Sequence, residues 1–234
     1  MVSPKVEDYL KTIYDLQDHD TRVAPSAIAT AMGVKPPTVT TMLQRMHDDG
    51  FVDYEPYQGA RLTARGEQRA LTVVRHHRLL ELFLTEQLGY DWSDVHDEAD
   101  ALEHYVSEKL EARLETVLEN PTVDPHGAPI PTGDLTVQRD SRHQSVAECK
   151  TGDIAAVSEV RDSNPAVLDY LSTAGVALGT RLEVTEIAPF GMVTLEVIET
   201  REQFSLPTEI AADVFVSPCN NRSNSETGQF SEVR

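Results

Sequence analysis

Pro25-Ser26-Ala27-Ile28-Ala29-Thr30-Ala31-Met32-Gly33-Val34-Lys35-Pro36-Pro37-Thr38-Val39-Thr40-Thr41-Met42-Leu43-Gln44-Arg45-Met46-His47-Asp48-Asp49-Gly50 is the stretch that decides the fold. Ser26 is placed to cap a short helix carrying Ile28 and Met32, and Gly33 stands where that helix would stop. Pro36 and Pro37 preset the first turn of a second helix, which puts Val39, Met42, Leu43 and Met46 on one face and ends at Gly50. Two short helices around a tight glycine-containing turn form a helix-turn-helix.

Working outward, Val6, Tyr9, Leu10, Ile13 and Tyr14 recur at helical spacing and predict a first amphipathic helix over about 4–18. Downstream, Phe51-Val-Asp-Tyr-Glu and Arg61-Leu-Thr flank a turn containing Gly59, which predicts a two-stranded wing. A long helix is expected from about 64 to 88, with Ala70, Leu71, Val74, Leu80 and Phe83 on its apolar positions, then helices over about 94–106 and 108–119. Residues 121–150 carry Pro121, Pro125, Gly127, Pro129, Pro131 and Gly133 and are expected to form a linker. From Gly152 the pattern turns short and strand-like, with one helix near Pro165–Ala174, which predicts a small β-barrel. The expected class is mainly α with a small β component. Its divisions are a winged helix-turn-helix domain over 1–63, a helical domain over 64–120, a linker over 121–150, a barrel over 151–217 and a disordered tail over 218–234.

A net charge of −19 is unpromising for a nucleic-acid binder, since phosphates are held chiefly by Lys and Arg. The distribution answers this: residues 1–75 hold nine Lys and Arg against ten Asp and Glu, and the remainder hold eleven against 29. Residues 21–47 contain Arg22, Lys35 and Arg45 and no acid at all. The two cysteines, Cys149 and Cys219, lie far apart and form no CxxC, which argues against a disulfide framework or a thiolate metal site. The start offers neither a signal peptide nor a transit pattern, and no apolar run is long enough to span a bilayer, so the cytoplasm is the expected location.

Asp100, Glu103 and His104 stand at i, i+3 and i+4 on one expected helix and project from one face. His96 lies a turn earlier, and His77 and Glu81 form a second i, i+4 pair on the long helix. Carboxylates and imidazoles without thiols suit Mn(II) or Fe(II). The same spacing is also met by an ordinary solvated helix face, so spacing alone leaves metal binding open. The chain carries no HExxH, no nucleophile elbow and no Gly-rich phosphate loop, so an enzyme is not expected and a metallohydrolase is a remote alternative.

The order of parts, with the strings Asp8-Tyr-Leu-Lys-Thr-Ile-Tyr, Val74-Arg-His-His-Arg-Leu-Leu-Glu, Val95-His-Asp-Glu-Ala-Asp-Ala-Leu-Glu-His and Pro125-His-Gly-Ala-Pro-Ile-Pro, resembles the diphtheria toxin repressor family of iron- and manganese-dependent regulators. The resemblance covers about residues 4–217. It implies a homodimer that binds a double-stranded DNA operator with Fe(II) or Mn(II) as co-repressor, and a third domain of SH3-like, FeoA-like type. It also implies a primary metal site of Asp8, Asp100, Glu103 and His104 and an ancillary site of His77, Glu81 and His96. Carboxylates at Asp8 and Asp100 follow the manganese-responsive pattern, whereas Lys11 stands where that subgroup has a second glutamate. The recognition helix is expected to present Lys35, Pro37, Thr38, Thr40 and Thr41 to DNA, with Arg45 and Arg61 reaching phosphates. A winged-helix regulator that does not depend on metal is the alternative reading.

Overall fold

The computed structural model describes residues 2–17, 21–92, 94–138, 144–161 and 164–218. Contacts divide the chain into two compact units, residues 1–139 with 163–166, and residues 140–162 with 167–234.

In the first unit, α1 (Pro4–Leu16) starts on a proline and buries Val6, Tyr9, Leu10 and Ile13 along its apolar stripe. α2 (Pro25–Ala31) and α3 (Pro36–Asp48) follow, joined through Gly33 in the left-handed region at φ 62°. The expected cap at Ser26 is corrected: Pro25 fills the first helical position, so the cap falls to Ala24 and Ser26 lies inside the first turn. β1 (Val52–Glu55) and β2 (Gly59–Leu62) pair antiparallel as the wing. One core gathers α1, Ile28 and Ala29 of α2, Val39, Leu43 and Met46 of α3, the wing residues Val52 and Tyr54, and Ala70 of the next helix. Each large apolar side chain buried there contributes about 1.5–3 kcal/mol.

That next helix, α4 (Ala64–Leu88), is capped by Thr63, whose hydroxyl accepts from Gly66 N, and ends at Gly89 with φ 74°. It serves two cores. Ala70 belongs to the first, while Leu79, Leu80 and Leu82 join Ala99, Leu114, Leu118 and Ile130 in a second. α5 (Val95–Leu102) is shorter than expected because the helix tightens into a 3-10 turn at Glu103–Tyr105. α6 (Glu108–Val117) is capped by Ser107.

In the expected linker over 121–150, the described residues 121–138 are irregular and held against the helices. Ile130 is buried in the second core, and Asp124 Oδ1 accepts from the backbone of His126 at 2.8 Å and of Ala128 at 2.9 Å. Arg75 and Arg78 of α4 donate to the carbonyls of Pro131 and Pro129, at 2.6 Å and 2.5 Å. Prolines forbid a ladder here, but side chains satisfy the backbone instead.

In the second unit, six antiparallel strands run in the order β3-β8-β4-β5-β6-β7. They are β3 (Gln144–Ser145), β4 (Ile154–Val160), β5 (Arg181–Ala188), β6 (Met192–Val197), β7 (Gln203–Pro207) and β8 (Val214–Pro218). α7 (Pro165–Thr173) and α8 (Thr208–Ala211) intervene. Alternate residues such as Val157, Leu182, Val184, Val193, Leu195 and Val216 are buried, and irregular register at Val157/Glu159 and Val184/Glu186 bends the strands. This is the expected small SH3-like module, begun earlier in the chain because Gln144 and Ser145 pair with β8. Pro218, expected in the tail, closes β8; residues 219–234 of that expected tail lie outside the described residues.

Candidate metal centre and DNA-facing surface

Three elements of the first unit bring the titratable side chains together: α1, α4, and the end of α5 with its 3-10 turn. Asp8, Glu103 and His104 form one group and His77, His96 and Asp100 another, each able to present one ligand atom per residue within 4.8 Å of the others. All seven residues singled out for metal in the sequence thus lie in one neighbourhood. The grouping differs from expectation at Asp100, which sits 3.1 Å from His77 Nδ1 and 3.7 Å from His96 Nε2 and faces the group without Asp8. The cause is local: Asp100 lies within the last turn of α5, whereas Glu103 and His104 stand on a 3-10 turn, which advances the chain by a larger angle per residue and swings them toward α1.

Around His104, Nε2 lies 2.8 Å from Asp8 Oδ1, and Nδ1 lies 2.6 Å from Glu7 Oε2. Glu7 is fully buried and also accepts from Arg69 Nε at 2.8 Å. Burial raises the Asp8 carboxyl above its ordinary range, against the pull of His104. Glu7 was not singled out in the sequence. Its signal was its place on the buried stripe of α1, between Val6 and Leu10, where a lone carboxylate needs a partner.

Around His77, Nε2 lies 2.8 Å from Glu81 Oε1 and 3.1 Å from His96 Nδ1, and His96 Nδ1 is 3.1 Å from that same Glu81 oxygen. Nδ1 lies 2.6 Å from Glu103 Oε2. Despite burial, the imidazoles of His77 and His96 and neighbouring His126 hold the Glu81 carboxyl well below the usual carboxylate range. Asp100 is lowered likewise, by His77 and Lys11 against its own desolvation. Two imidazole nitrogens aimed at one carboxylate oxygen, with no thiol present, are a donor set that fits a divalent ion of intermediate character. Beneath, His76 Nδ1 donates to the Glu103 carbonyl at 3.1 Å and Arg75 pairs with Glu111 at 2.5 Å, which anchors the 3-10 turn to α4 and α6.

Lys35, Pro37, Thr38, Thr40, Thr41 and Arg45 are all exposed, as expected for α3. The hydroxyls of Thr40 and Thr41 donate to the carbonyls of Pro36 and Pro37. Arg45 pairs loosely with Asp49 at 3.8 Å, and Arg61 with Asp53 at 3.1 Å. Arg22, one of three cations in the acid-free stretch, is not available to an anion: it binds Asp53 and Glu55 and braces the wing.

Three family models match the chain: the N-terminal DNA-binding domain of the iron dependent repressor over 1–60, its metal binding and dimerisation domain over 63–132, and a FeoA domain over 144–218. The chain is 35% identical over 221 residues to the iron-dependent repressor IdeR of Mycobacterium bovis, covering 90% of this chain and 95% of that protein. It is 33% identical over 187 residues to the diphtheria toxin repressor of Corynebacterium efficiens, covering 76% and 81%. A solved manganese-dependent transcriptional repressor in complex with manganese superposes with a TM-score of 0.84 at 34% identity, covering 92% of this chain and all of that one. With the site geometry and these likenesses in agreement, the chain belongs to the iron-dependent repressor family that includes the diphtheria toxin repressor.

Proposed function

We infer that this protein is a metal-dependent DNA-binding transcriptional repressor with Fe(II) or Mn(II) as co-repressor. The observation that carries it is the convergence of Asp8, from the helix-turn-helix core, on Glu103 and His104 beyond α5. Asp8, Glu103 and His104, extended by Asp100, would form the primary site, and His77, Glu81 and His96 the ancillary one. A divalent ion, when bound, supplies the positive charge that lets these carboxylates share a partly buried pocket. Asp8 then holds α1 against the α5 turn, and Glu7 keeps the His104 ring turned toward Asp8.

The reading domain is residues 1–63, and residues 64–120 with the strap to 138 form the dimerisation and metal-binding domain. A homodimer would set two α3 helices into successive major grooves of the operator, about 34 Å apart for half-sites one turn apart. Lys35, Arg45 and Arg61 would contact phosphates, and Pro37, Thr38, Thr40 and Thr41 the groove, with the threonine methyls against thymine.

The test is operator binding under anaerobic conditions with Mn(II) or Fe(II), with and without chelator. Binding should require the metal and be lost in Asp8→Ala and His104→Ala. Operator affinity insensitive to chelator and to both substitutions would establish instead a regulator of the same fold that does without metal.

A further inference from the structure

One cationic side chain enters the ligand cluster. Lys11 projects from α1 with its side chain 18% exposed. Its Nζ lies 2.8 Å from Asp100 Oδ1, 2.7 Å from Glu103 Oε2 and 3.0 Å from His77 Nδ1. These atoms come from both ligand groups, His77 and Asp100 from one and Glu103 from the other.

An ammonium has three donors and no acceptor, and here two of them meet carboxylate oxygens that a bound ion would also need, with His77 Nδ1 beside it. A carboxylate oxygen committed to an ammonium is a poorer metal ligand, and two cations in one cluster repel each other. The same contacts run from α1 to α4 and to the α5 turn, the elements that a bound ion is inferred to join.

Resting on the metal-dependent reading above, we propose that Lys11 is a tethered cation that competes with the metal for shared ligands. It engages Asp100 and Glu103 in place of an ion, bridges α1 to the dimerisation helices without one, and keeps the metal affinity below what the donor set alone would give.

Lys11→Met and Lys11→Gln test this in the full chain, with Mn(II) affinity measured by competition against a fluorescent chelator at fixed pH. Both variants should bind Mn(II) at least about tenfold more tightly than the unmodified protein, equivalent to about 1.4 kcal/mol. In excess chelator both should melt at a lower temperature, because the bridge is gone. Equal or weaker Mn(II) binding in a variant with an unchanged far-UV spectrum would overturn the proposal. If one variant fails to fold, the other decides; if neither folds, Lys11 is a structural brace and the proposal fails. Unmodified protein that takes up neither Mn(II) nor Fe(II) would remove the metal-dependent reading itself, a result distinct from unchanged affinity on removing Lys11.

Discussion

Glu7 shows at the residue scale how a ligand depends on what stands behind it. Its carboxylate grips His104 Nδ1 and the Arg69 guanidinium at once, and because a carboxylate only accepts, Nδ1 donates to it and the ring is held with Nε2 facing Asp8. Groups that orient a ligating histidine typically change metal affinity by 10–100-fold when removed. Glu7→Ala should therefore weaken Mn(II) binding by about 10–100-fold although Glu7 is not in the inferred ligand set, as isothermal titration would show. Unchanged affinity would mean that Glu7 serves Arg69 alone. Asp100, Glu103 and His104, and His77 with Glu81, could be singled out because they share helix faces, whereas Asp8 came from the resemblance. Glu7 was not legible, since its partner lies 97 residues away, and the resemblance marked Lys11 only as a departure, its partners lying as many as 92 residues away.

At the scale of elements, α4 is the rod on which both cores of the first unit are built, and the wing is seated against it with little clearance. A Cβ at Gly66, in the first turn of α4, would lie 2.0 Å from the Phe51 carbonyl oxygen. Gly59 opens β2 at φ 104°, and a Cβ there would lie 2.4 Å from the carbonyl oxygen of Val23, whose backbone pairs with Ala60. Gly59→Ala meets both a backbone clash and an unfavourable φ, so it should destabilise the protein by about 2 kcal/mol or more, measured by chemical denaturation. Operator affinity should fall with it, because the wing carries Arg61; a stability unchanged within error would contradict the close packing described here. Periodicity made the helices of this unit readable, down to the 64–88 span of α4. The strap after α6 is irregular, as its prolines predict, but its packing was not readable because it comes from Asp124, Arg75 and Arg78 side chains, which leave no periodic trace.

For the molecule as a whole, charge and proton balance set the conditions under which a switch of this kind would work. Burial and Lys11 oppose a proton on His77, but Glu81, Asp100 and Glu103 outweigh them and push its pKa up to about 10. A raised pKa means that the His77 network stabilises the fold fully below the ordinary histidine value of 6.5, and that this contribution is lost as pH rises through about 10. Metal affinity runs the other way, because an ion on His77 must release that proton. Mn(II) affinity should rise by about tenfold per pH unit over the range from about 6.5 to 8.5 for one proton released, and a flat profile in titrations at these pH values would sink the assignment of His77 as a ligand. The net charge of −19 falls almost entirely beyond residue 75, so the reading domain stays near neutral while the rest repels polyanions. By itself the amino-acid sequence determined the order of elements, the helix-turn-helix and its exposed face, and the residue types available to a metal, because each of these follows from local spacing and composition. Only the tertiary structure decided that Asp100 turns toward His77, that Glu7 holds His104 and that Lys11 sits among the ligands. Those are contacts between elements far apart in the chain, and no local periodicity encodes which side chains meet across a core.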